Sequence, residues 1–214
     1  MVKNLTLAHR KDVWADGKRA TVFFAPTAWV KTLSLVMQYS VEVQWHGLVR
    51  RLSDNKFVVE DILVFPHDAA PASVISVQEQ YEEWLNSLGD DTFNRVRFHG
   101  HSHVNMPVHP SIVDVNYRSN IVRNFGTPHP NNDIFYIFLI INKRGELSGE
   151  IYDFTNNAVY ETNGDKNEID FLVELSNTET LEQFMDDTKL VIRVKSFEGL
   201  GENHIGRKNG SCAI

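Results

Sequence analysis

Four of the nine histidines in this 214-residue chain lie within one short stretch, FHGHSHVNMPVHPSIVD (98–114). His99, His101 and His103 alternate with small residues, so on a β-strand all three imidazoles would point to the same side. Two imidazoles at positions i and i+2 can reach one divalent ion near the end of a strand. Because a catalytic zinc usually takes three protein ligands and a water, the stretch predicts a metal site with a third ligand from nearby structure.

Asp114 is a candidate for that third ligand, on a helix predicted to begin after Pro110. Ser111 lies three residues earlier, so both side chains share one face of the first helical turn. A serine hydroxyl there can donate a hydrogen bond to an oxygen of a substrate bound beside the metal. Taken alone, each residue also has an ordinary interpretation, as a helix-start serine and a solvated aspartate. His109, next to Pro110, is typical of the loop that leads into the helix.

The segments that must position these residues alternate between strand-like and helix-like patterns, which predicts a mixed sheet with helices packed on it. The pattern predicts, in order, a strand over 19–25, a helix from Pro26, a hairpin of strands over 40–52 and 56–65, a loop over 66–75, a helix over 76–88 with Ser76 as N-cap, a strand over 94–103, a helix over 110–125, and a hairpin over 133–154.

The composition changes near residue 161, where the polar stretch ETNGDKNE begins. We therefore predict a domain over 1–160 that carries the metal site, and a C-terminal α+β extension over 161–214. The extension is expected to contain a strand, a helix and a second strand, followed by a loose glycine-rich tail.

Charge and cysteine usage exclude several classes of partner. The formal net charge of -7 argues against nucleic acid or an anionic membrane as the main partner. The longest apolar run, IFYIFLII (134–141), is too short to cross a bilayer, and the first twenty residues lack the apolar run of a signal peptide. The single cysteine, Cys212, permits neither an internal disulfide nor a metal site built on several thiolates. We expect a cytoplasmic protein.

Other families with an H-x-H metal motif fit the spacing poorly. A metallo-β-lactamase-like site would place an aspartate two residues after the second histidine, where Asn105 stands. Barrel-type metal hydrolases have much longer chains with further ligands downstream, whereas only His129 and His204 follow His109 here.

The remaining pattern is H-x-H, seven residues, S, two residues, D, at His101, His103, Ser111 and Asp114. It resembles the motif of the JAMM (MPN-plus) zinc metalloprotease family. The resemblance covers the element order over about residues 20–155 and is specific at the motif itself. It implies a single curved sheet of the JAB/MPN-like, cytidine-deaminase-like kind.

The resemblance also implies a role for each site residue. His101, His103 and Asp114 would bind one catalytic zinc, with water as the fourth ligand. Ser111 would donate to the oxyanion of the tetrahedral intermediate. The family carries a glutamate on the first strand after the first helix, and Glu42 in SVEVQWHGLV stands at that place, where it would act as general base.

Three residues remain as alternatives or neighbours. Glu60, on the next predicted strand, is the competing carboxylate for the base. His99 has no role in the family pattern and is a candidate for orienting a metal ligand through a hydrogen bond, or for simple packing beside the site. His46 lies on the same predicted face as Glu42, and we interpret it as a packing residue.

These features predict a zinc-dependent peptidase or isopeptidase that acts on a protein or peptide, with ubiquitin-like proteins as candidate substrates. The eukaryotic relatives grip ubiquitin with two insertions, and the corresponding segments here, 66–75 and 126–132, are short. The chain therefore looks more like compact bacterial or phage relatives. The alternatives are a non-catalytic MPN-like binding or scaffold module, and a zinc hydrolase that acts on a non-protein amide.

Overall fold

The structure is a computed structural model that describes residues 19–70, 73–75, 78–125, 133–162, 167–173, 188–189 and 191–194. The helices with described bounds are α1 (Pro26–Gln38), α2 (Gln78–Ser87), α3 (Asp90–Arg95) and α4 (Ile112–Phe125). The strands are β1 (Ala20–Phe24), β2 (Gln44–Ser53), β3 (Lys56–Leu63), β4 (His67–Ala70), β5 (Ser73–Ile75), β6 (Val96–Ser102), β7 (Phe135–Ile141), β8 (Leu147–Asp153), β9 (Ala158–Glu161), β10 (Ile169–Val173) and β11 (Ile192–Val194).

Eight strands form one mixed sheet in the order β10-β1-β3-β2-β6-β7-β8-β9. Strand β1 is parallel to both neighbours and β6 is parallel to β7, whereas the other neighbouring pairs are antiparallel. The two edge strands, β9 and β10, are connected through Glu168, the residue before β10. The Glu168 N–H donates to the carbonyl of Glu161 in β9 at 3.0 Å, and the Glu168 carbonyl accepts from the N–H of Ala20 in β1 at 2.8 Å. The sheet is curved and nearly closed, which confirms the prediction of a curved mixed sheet with helices.

Strand β7 lies at the centre of the core and is buried at every position. Ile137 and Leu139 belong to the large apolar cluster that includes the buried residues of α1. Tyr136 and Phe138 belong to a second cluster with Val122 of α4. Because adjacent side chains of a strand point to opposite faces, α1 and α4 cover opposite faces of the sheet.

The local elements follow the predicted order along the chain. Pro26 opens α1, where its missing N–H leaves no helix hydrogen bond unmade, and Ala28, Leu35 and Val36 of that helix are buried. The predicted hairpin of β2 and β3, the strand that runs into the histidines, the helix after Pro110 and the hairpin of β7 and β8 are all present.

A second, three-stranded sheet in the order β11-β4-β5 departs from the predicted single sheet. Both strands of the β4–β5 hairpin lie within the segment 66–75, which was predicted to be a loop. These strands are four and three residues long, at or below the length at which alternation of polar and apolar residues is detectable. Strand β11, far along the chain, pairs parallel to β4, and no local pattern signals such a contact.

Two strands from beyond residue 160 join sheets that begin earlier in the chain. The segments IDFLVELS and KLVIRVKSF, predicted as strands of the extension, contain β10 and β11. Strand β10 pairs parallel to β1 at the edge of the large sheet. The division into domains over 1–160 and 161–214 stays a prediction, and β10 shows that backbone hydrogen bonds cross it.

Several predicted features lie outside the described residues: the Ser76 cap, the segment 126–132, the helix expected near 180–187 and the C-terminal tail. Within the described ranges, no helix has both the length and the apolar character needed to cross a membrane.

Candidate metal centre

Strand β6 carries the histidines into the middle of the large sheet, between β2 and β7. His99 and His101 lie on this strand, His103 follows its last residue, and all three side chains are buried. A glycine separates the first two, because a Cβ at Gly100 would lie 2.4 Å from Nε1 of Trp45 on the neighbouring strand. The small residue therefore lets β2 and β6 pack closely on one face while the imidazoles occupy the other.

The side chains of His101, His103 and Asp114 come together as one group. The two histidine Nε2 atoms lie 3.1 Å apart, and the Asp114 carboxylate lies 3.2 Å from His101 Nε2 and 3.7 Å from His103 Nε2. Their nitrogen and oxygen atoms all lie within 4.8 Å of one another. In the described part of the chain, no other group of three or more His, Cys, Asp or Glu side chains lies this close together. These three residues, which are the predicted ligands, can hold a metal ion.

His103 is held in one orientation by the loop that follows it. Its Nδ1–H donates to the Pro107 carbonyl at 2.7 Å, which directs Nε2 at the ligand group. Burial lowers the pKa of His103, but hydrogen bonds to Asp114 and Pro107 and the charge of Glu42 outweigh burial and raise it overall. For His101, burial outweighs the hydrogen bond to Asp114, and the pKa is lowered.

Ser111 and Asp114 cap helix α4 reciprocally. The Ser111 N–H donates to Asp114 Oδ2 at 2.6 Å, and the Asp114 N–H donates to Ser111 Oγ at 3.2 Å, which is the geometry of a capping box. Burial raises the pKa of Asp114, but hydrogen bonds from His101, His103 and Ser111 outweigh it and hold the pKa well below its usual range. The carboxylate is therefore ionised, as a metal ligand must be, and the exposed Ser111 side chain lies beside it.

An ion pair between Arg118 and Glu150, which was not predicted from the sequence, connects α4 to the sheet. Arg118, one turn after Asp114, is 5% exposed and pairs with Glu150 of β8. Glu150 also accepts a hydrogen bond from the Tyr152 hydroxyl at 2.8 Å, and the guanidinium lies 5.7 Å from the centroid of the Phe138 ring. The i, i+4 spacing places Arg118 on the same helix face as Asp114, but it does not indicate Glu150 as the partner.

Glu42 lies two residues before β2 begins, so the prediction that it sits on the strand is wrong. The regular ladder stops because the Val43 N–H donates to the side-chain Oγ of Ser102 at 3.0 Å, while the Ser102 N–H donates to the Val43 carbonyl at 2.9 Å. Continuing the β2–β6 register past that pair sets Glu42 opposite His103. The sheet therefore brings this carboxylate to the ligand group even though the strand has ended.

The environment of Glu42 differs from that of the competing carboxylate. Glu42 is 7% exposed, and burial raises its pKa to about 7, with the charge of His103 opposing the rise and that of Asp114 adding to it. Glu60 lies on β3, where its carboxylate is 2.9 Å from the guanidinium of Arg50 in a partly exposed ion pair. Of the two candidates for the base, Glu42 is the one beside the group of His101, His103 and Asp114.

The remaining buried histidines form what we call the inner histidine cluster: His46, His67 and His99. His46 Nε2 lies 2.9 Å from the Tyr81 hydroxyl, and its ring stacks on Phe65 with 4.8 Å between centroids. His67 Nδ1 donates to the Phe65 carbonyl at 2.7 Å. Burial lowers the pKa of both His46 and His67 to about 4. His46 is thus a packing residue, as predicted. No role was predicted for His67, because it lies in the segment that was expected to be a loop.

His99 packs in this cluster and also borders the ligand group, since its ring centroid lies 6.0 Å from that of His101. Its ring centroid lies 4.5 Å from that of Tyr117 and 5.4 Å from that of His46, and its buried Nδ1 has no hydrogen-bond partner. Burial lowers its pKa well below the ordinary value. A hydrogen bond from His99 to a metal ligand stays a prediction. His109 is exposed in the irregular segment before α4, where it was expected.

Comparison with known proteins leaves the function to be argued from this geometry. No protein-family model matches the chain, and no curated protein matches it. Among solved structures, the chain is similar to the solution structure of protein DSY2949 from Desulfitobacterium hafniense, at 20% sequence identity and a TM-score of 0.46, over 72% of this chain and 95% of that one.

Proposed function

We propose that this protein is a zinc-dependent peptidase or isopeptidase of the JAMM (MPN-plus) kind, with a JAB/MPN-like fold. The observation that carries the proposal is the place of Glu42, a buried carboxylate beside the His101, His103 and Asp114 group. A metal-ligating group alone would suit a structural site equally well. A carboxylate with a pKa of about 7 next to that group is what a general base at neutral pH requires.

Zinc fits the donor set of the site. Two imidazole nitrogens and one carboxylate, with a fourth position open, are typical of catalytic zinc. Bonds of about 2.0–2.2 Å in a tetrahedral arrangement separate neighbouring ligand atoms by about 3.3–3.6 Å. The separations of 3.1, 3.2 and 3.7 Å here are close to that range. Bound zinc would lower the pKa of water to about 7 and polarise a substrate carbonyl.

Glu42 and Ser111 carry out the remaining steps of amide hydrolysis, which are proton transfer and stabilisation of the oxyanion. Water attacks the carbonyl carbon, and Glu42 accepts the proton that the water loses. When the C–N bond breaks, Glu42 returns that proton to the leaving amine. Ser111, which lies beside Asp114 at the start of α4, donates a hydrogen bond to the oxyanion of the tetrahedral intermediate.

The proposed substrate is a protein or peptide, and ubiquitin-like proteins are the first class to test. The short segment 66–75 folds largely into the β4–β5 hairpin instead of a long insertion, which favours the compact form of the family. Small ubiquitin-like modifiers or peptide precursors, which the resemblance implies for compact relatives, are therefore preferred to ubiquitin itself.

The proposal is tested by incubating the zinc-loaded protein with a panel of tagged ubiquitin-like proteins and peptides, with and without a chelator. We expect Glu42→Gln to keep the parent zinc content and to lose at least about 100-fold in cleavage rate. Glu60→Gln is the matched control and should cleave like the parent, because Glu60 lies in a surface ion pair. Cleavage at the parent rate by Glu42→Gln, or cleavage that survives the chelator, would contradict the proposal.

A second candidate function is a binding or scaffold module that keeps the fold and does no chemistry. The capping box favours it, because Ser111 and Asp114 have a structural task that needs no metal. This candidate predicts that His103→Ala captures the same proteins from a native lysate as the parent does, and that the parent cleaves no member of the panel.

A further inference from the structure

Asn142, which follows β7, is a buried amide with every hydrogen-bonding position in use. It is 1% exposed. Its Oδ1 accepts from the backbone N–H groups of Arg144 at 3.0 Å and Glu146 at 3.1 Å. Its Nδ2 donates to the Glu146 carboxylate at 2.6 Å and to the Met106 carbonyl at 2.9 Å. Because an amide offers two donors and two acceptor positions, this set fixes its orientation and joins the β7–β8 turn to the loop after His103.

That loop has a backbone which its own sequence disfavours. Val104 has a φ of 45°, in the left-handed region that β-branched residues rarely adopt. The turn closes where the Met106 N–H donates to the His103 carbonyl at 2.7 Å. From the β7–β8 turn, the Lys143 N–H donates to the Val104 carbonyl at 2.7 Å. Two hydrogen bonds from the β7–β8 turn therefore stabilise the unfavourable backbone conformation of Val104: the one from the Lys143 N–H and the one from the Asn142 side chain to the Met106 carbonyl.

We infer that Asn142 is a positioning residue for the metal centre. Its amide holds the loop in the turn that brings the Pro107 carbonyl to His103 Nδ1, and so keeps His103 Nε2 directed at Asp114. The inference rests on the metal site of the proposed function but not on hydrolysis. Metal affinity therefore tests it even if no substrate is cleaved, and cleavage data do not bear on it.

Three variants separate the contact to Met106 from other effects of the turn. Asn142→Asp keeps an acceptor for the N–H groups of Arg144 and Glu146, but it has no donor for the Met106 carbonyl and adds a carboxylate beside that of Glu146. The double variant Asn142→Asp/Glu146→Gln removes this repulsion and still lacks the donor. Glu146→Gln alone is the control, because it alters the same turn and leaves the Met106 contact in place.

Zinc affinity is measured by competition with a chromophoric chelator, beside the unfolding midpoint of the metal-free protein. We expect Asn142→Asp and the double variant each to bind zinc about 10- to 100-fold more weakly, the usual effect of losing a residue that orients a ligand. Glu146→Gln should keep the parent affinity. A purely structural role for Asn142 would lower the midpoint and leave the affinity of the folded protein unchanged.

Parent affinity in Asn142→Asp, or affinity restored in the double variant, would overturn the inference. If Asn142→Asp does not fold, Asn142→Ser replaces it, since serine adds no charge and is too short to reach the Met106 carbonyl. A folded Asn142→Ser protein with parent zinc affinity would equally overturn the inference, and a weakened one would support it.

Discussion

His99 and His101 lie two residues apart on the same face of one strand, with 6.0 Å between their ring centroids, yet they have different partners. His101 faces His103 and the carboxylate of Asp114. His99 faces the rings of Tyr117 and His46 and has a buried nitrogen without a partner. The position of a histidine on a strand therefore does not decide its chemistry. The elements packed over it do, because α4 presents Asp114 to one histidine and Tyr117 to the other.

The two groups also differ in how burial acts on charge. In the inner histidine cluster burial outweighs the hydrogen bonds to the Phe98 and Phe65 carbonyls, so the pKa values of His46 and His67 fall to about 4 and both rings are neutral at pH 7. In the ligand group, hydrogen bonds to the imidazoles outweigh burial and keep Asp114 ionised. A neutral aromatic cluster stabilises the sheet, whereas an anionic carboxylate between two imidazoles attracts a cation.

The matched pair His99→Phe and His101→Phe tests this difference most strongly. We expect His101→Phe to weaken zinc binding by more than about 100-fold, beyond the range for residues that only orient a ligand. His99→Phe should bind zinc nearly as well as the parent, because phenylalanine suits the aromatic surroundings of that site. Competition with a chromophoric chelator measures both, and an equal loss in the two variants would mean that the inner cluster takes part in metal binding.

Acid should destabilise the inner cluster. The folded-state pKa of His46 and of His67 is about 4 against an ordinary value of 6.5, so the unfolded chain binds protons first as the pH falls. The contribution of each neutral histidine to the free energy of unfolding is therefore complete above pH 6.5. It is lost as the pH falls from 6.5 to 4, by up to about 3 kcal/mol for each histidine.

Urea unfolding at several pH values, with chelator present to remove metal effects, measures that slope. His46→Gln, whose side chain can still bond to the Tyr81 hydroxyl, should remove about half of the two-histidine contribution between pH 6.5 and 4. An unchanged slope in this variant would show that His46 is not held neutral in the fold.

Gly100 lies between the two histidines and tests how closely β2 and β6 must pack. In Gly100→Ala the new Cβ would meet the indole of Trp45, so we expect a loss of about 1–3 kcal/mol in unfolding free energy. Gly89→Ala is the control, because no atom lies within 4 Å of a Cβ there. Equal stability of the two variants would contradict the close packing behind the ligands.

The smallest expected change in stability concerns the cap of α4. Ser111→Ala should cost about 1 kcal/mol of stability through the lost cap. If the protein is a peptidase, the same change should lower the cleavage rate by about 100-fold or more. Ser119→Ala on the same helix is the control, because the Ser119 hydroxyl bonds to the Val115 carbonyl of its own helix. A stability loss without a rate loss would leave Ser111 as a cap alone.

The parts of the site that could be predicted are those that depend on local periodicity. The spacing of His101 and His103 on a strand, and of Ser111 and Asp114 on a helix turn, follows from the geometry of single elements. Strand β7, with its unbroken apolar run, was predictable for the same reason.

The parts that could not be predicted depend on contacts between distant segments. Arg118 and Glu150 are 32 residues apart and Asn142 and Met106 are 36 apart, and no local pattern signals either pair. Glu42 was predicted on a strand because its neighbours alternate, but the Ser102 side chain replaces the ladder partner there. The carboxylate was identified, and only the fold shows how it reaches His103.

We expect a metal ion to bind in the group of His101, His103 and Asp114 and not in the inner histidine cluster. Anomalous diffraction at the zinc edge, from crystals of zinc-loaded protein, tests it directly. We expect one peak within about 2.3 Å of both histidine Nε2 atoms and the Asp114 carboxylate. A peak among His46, His67 and His99, or no peak between the three predicted ligands, would contradict the account.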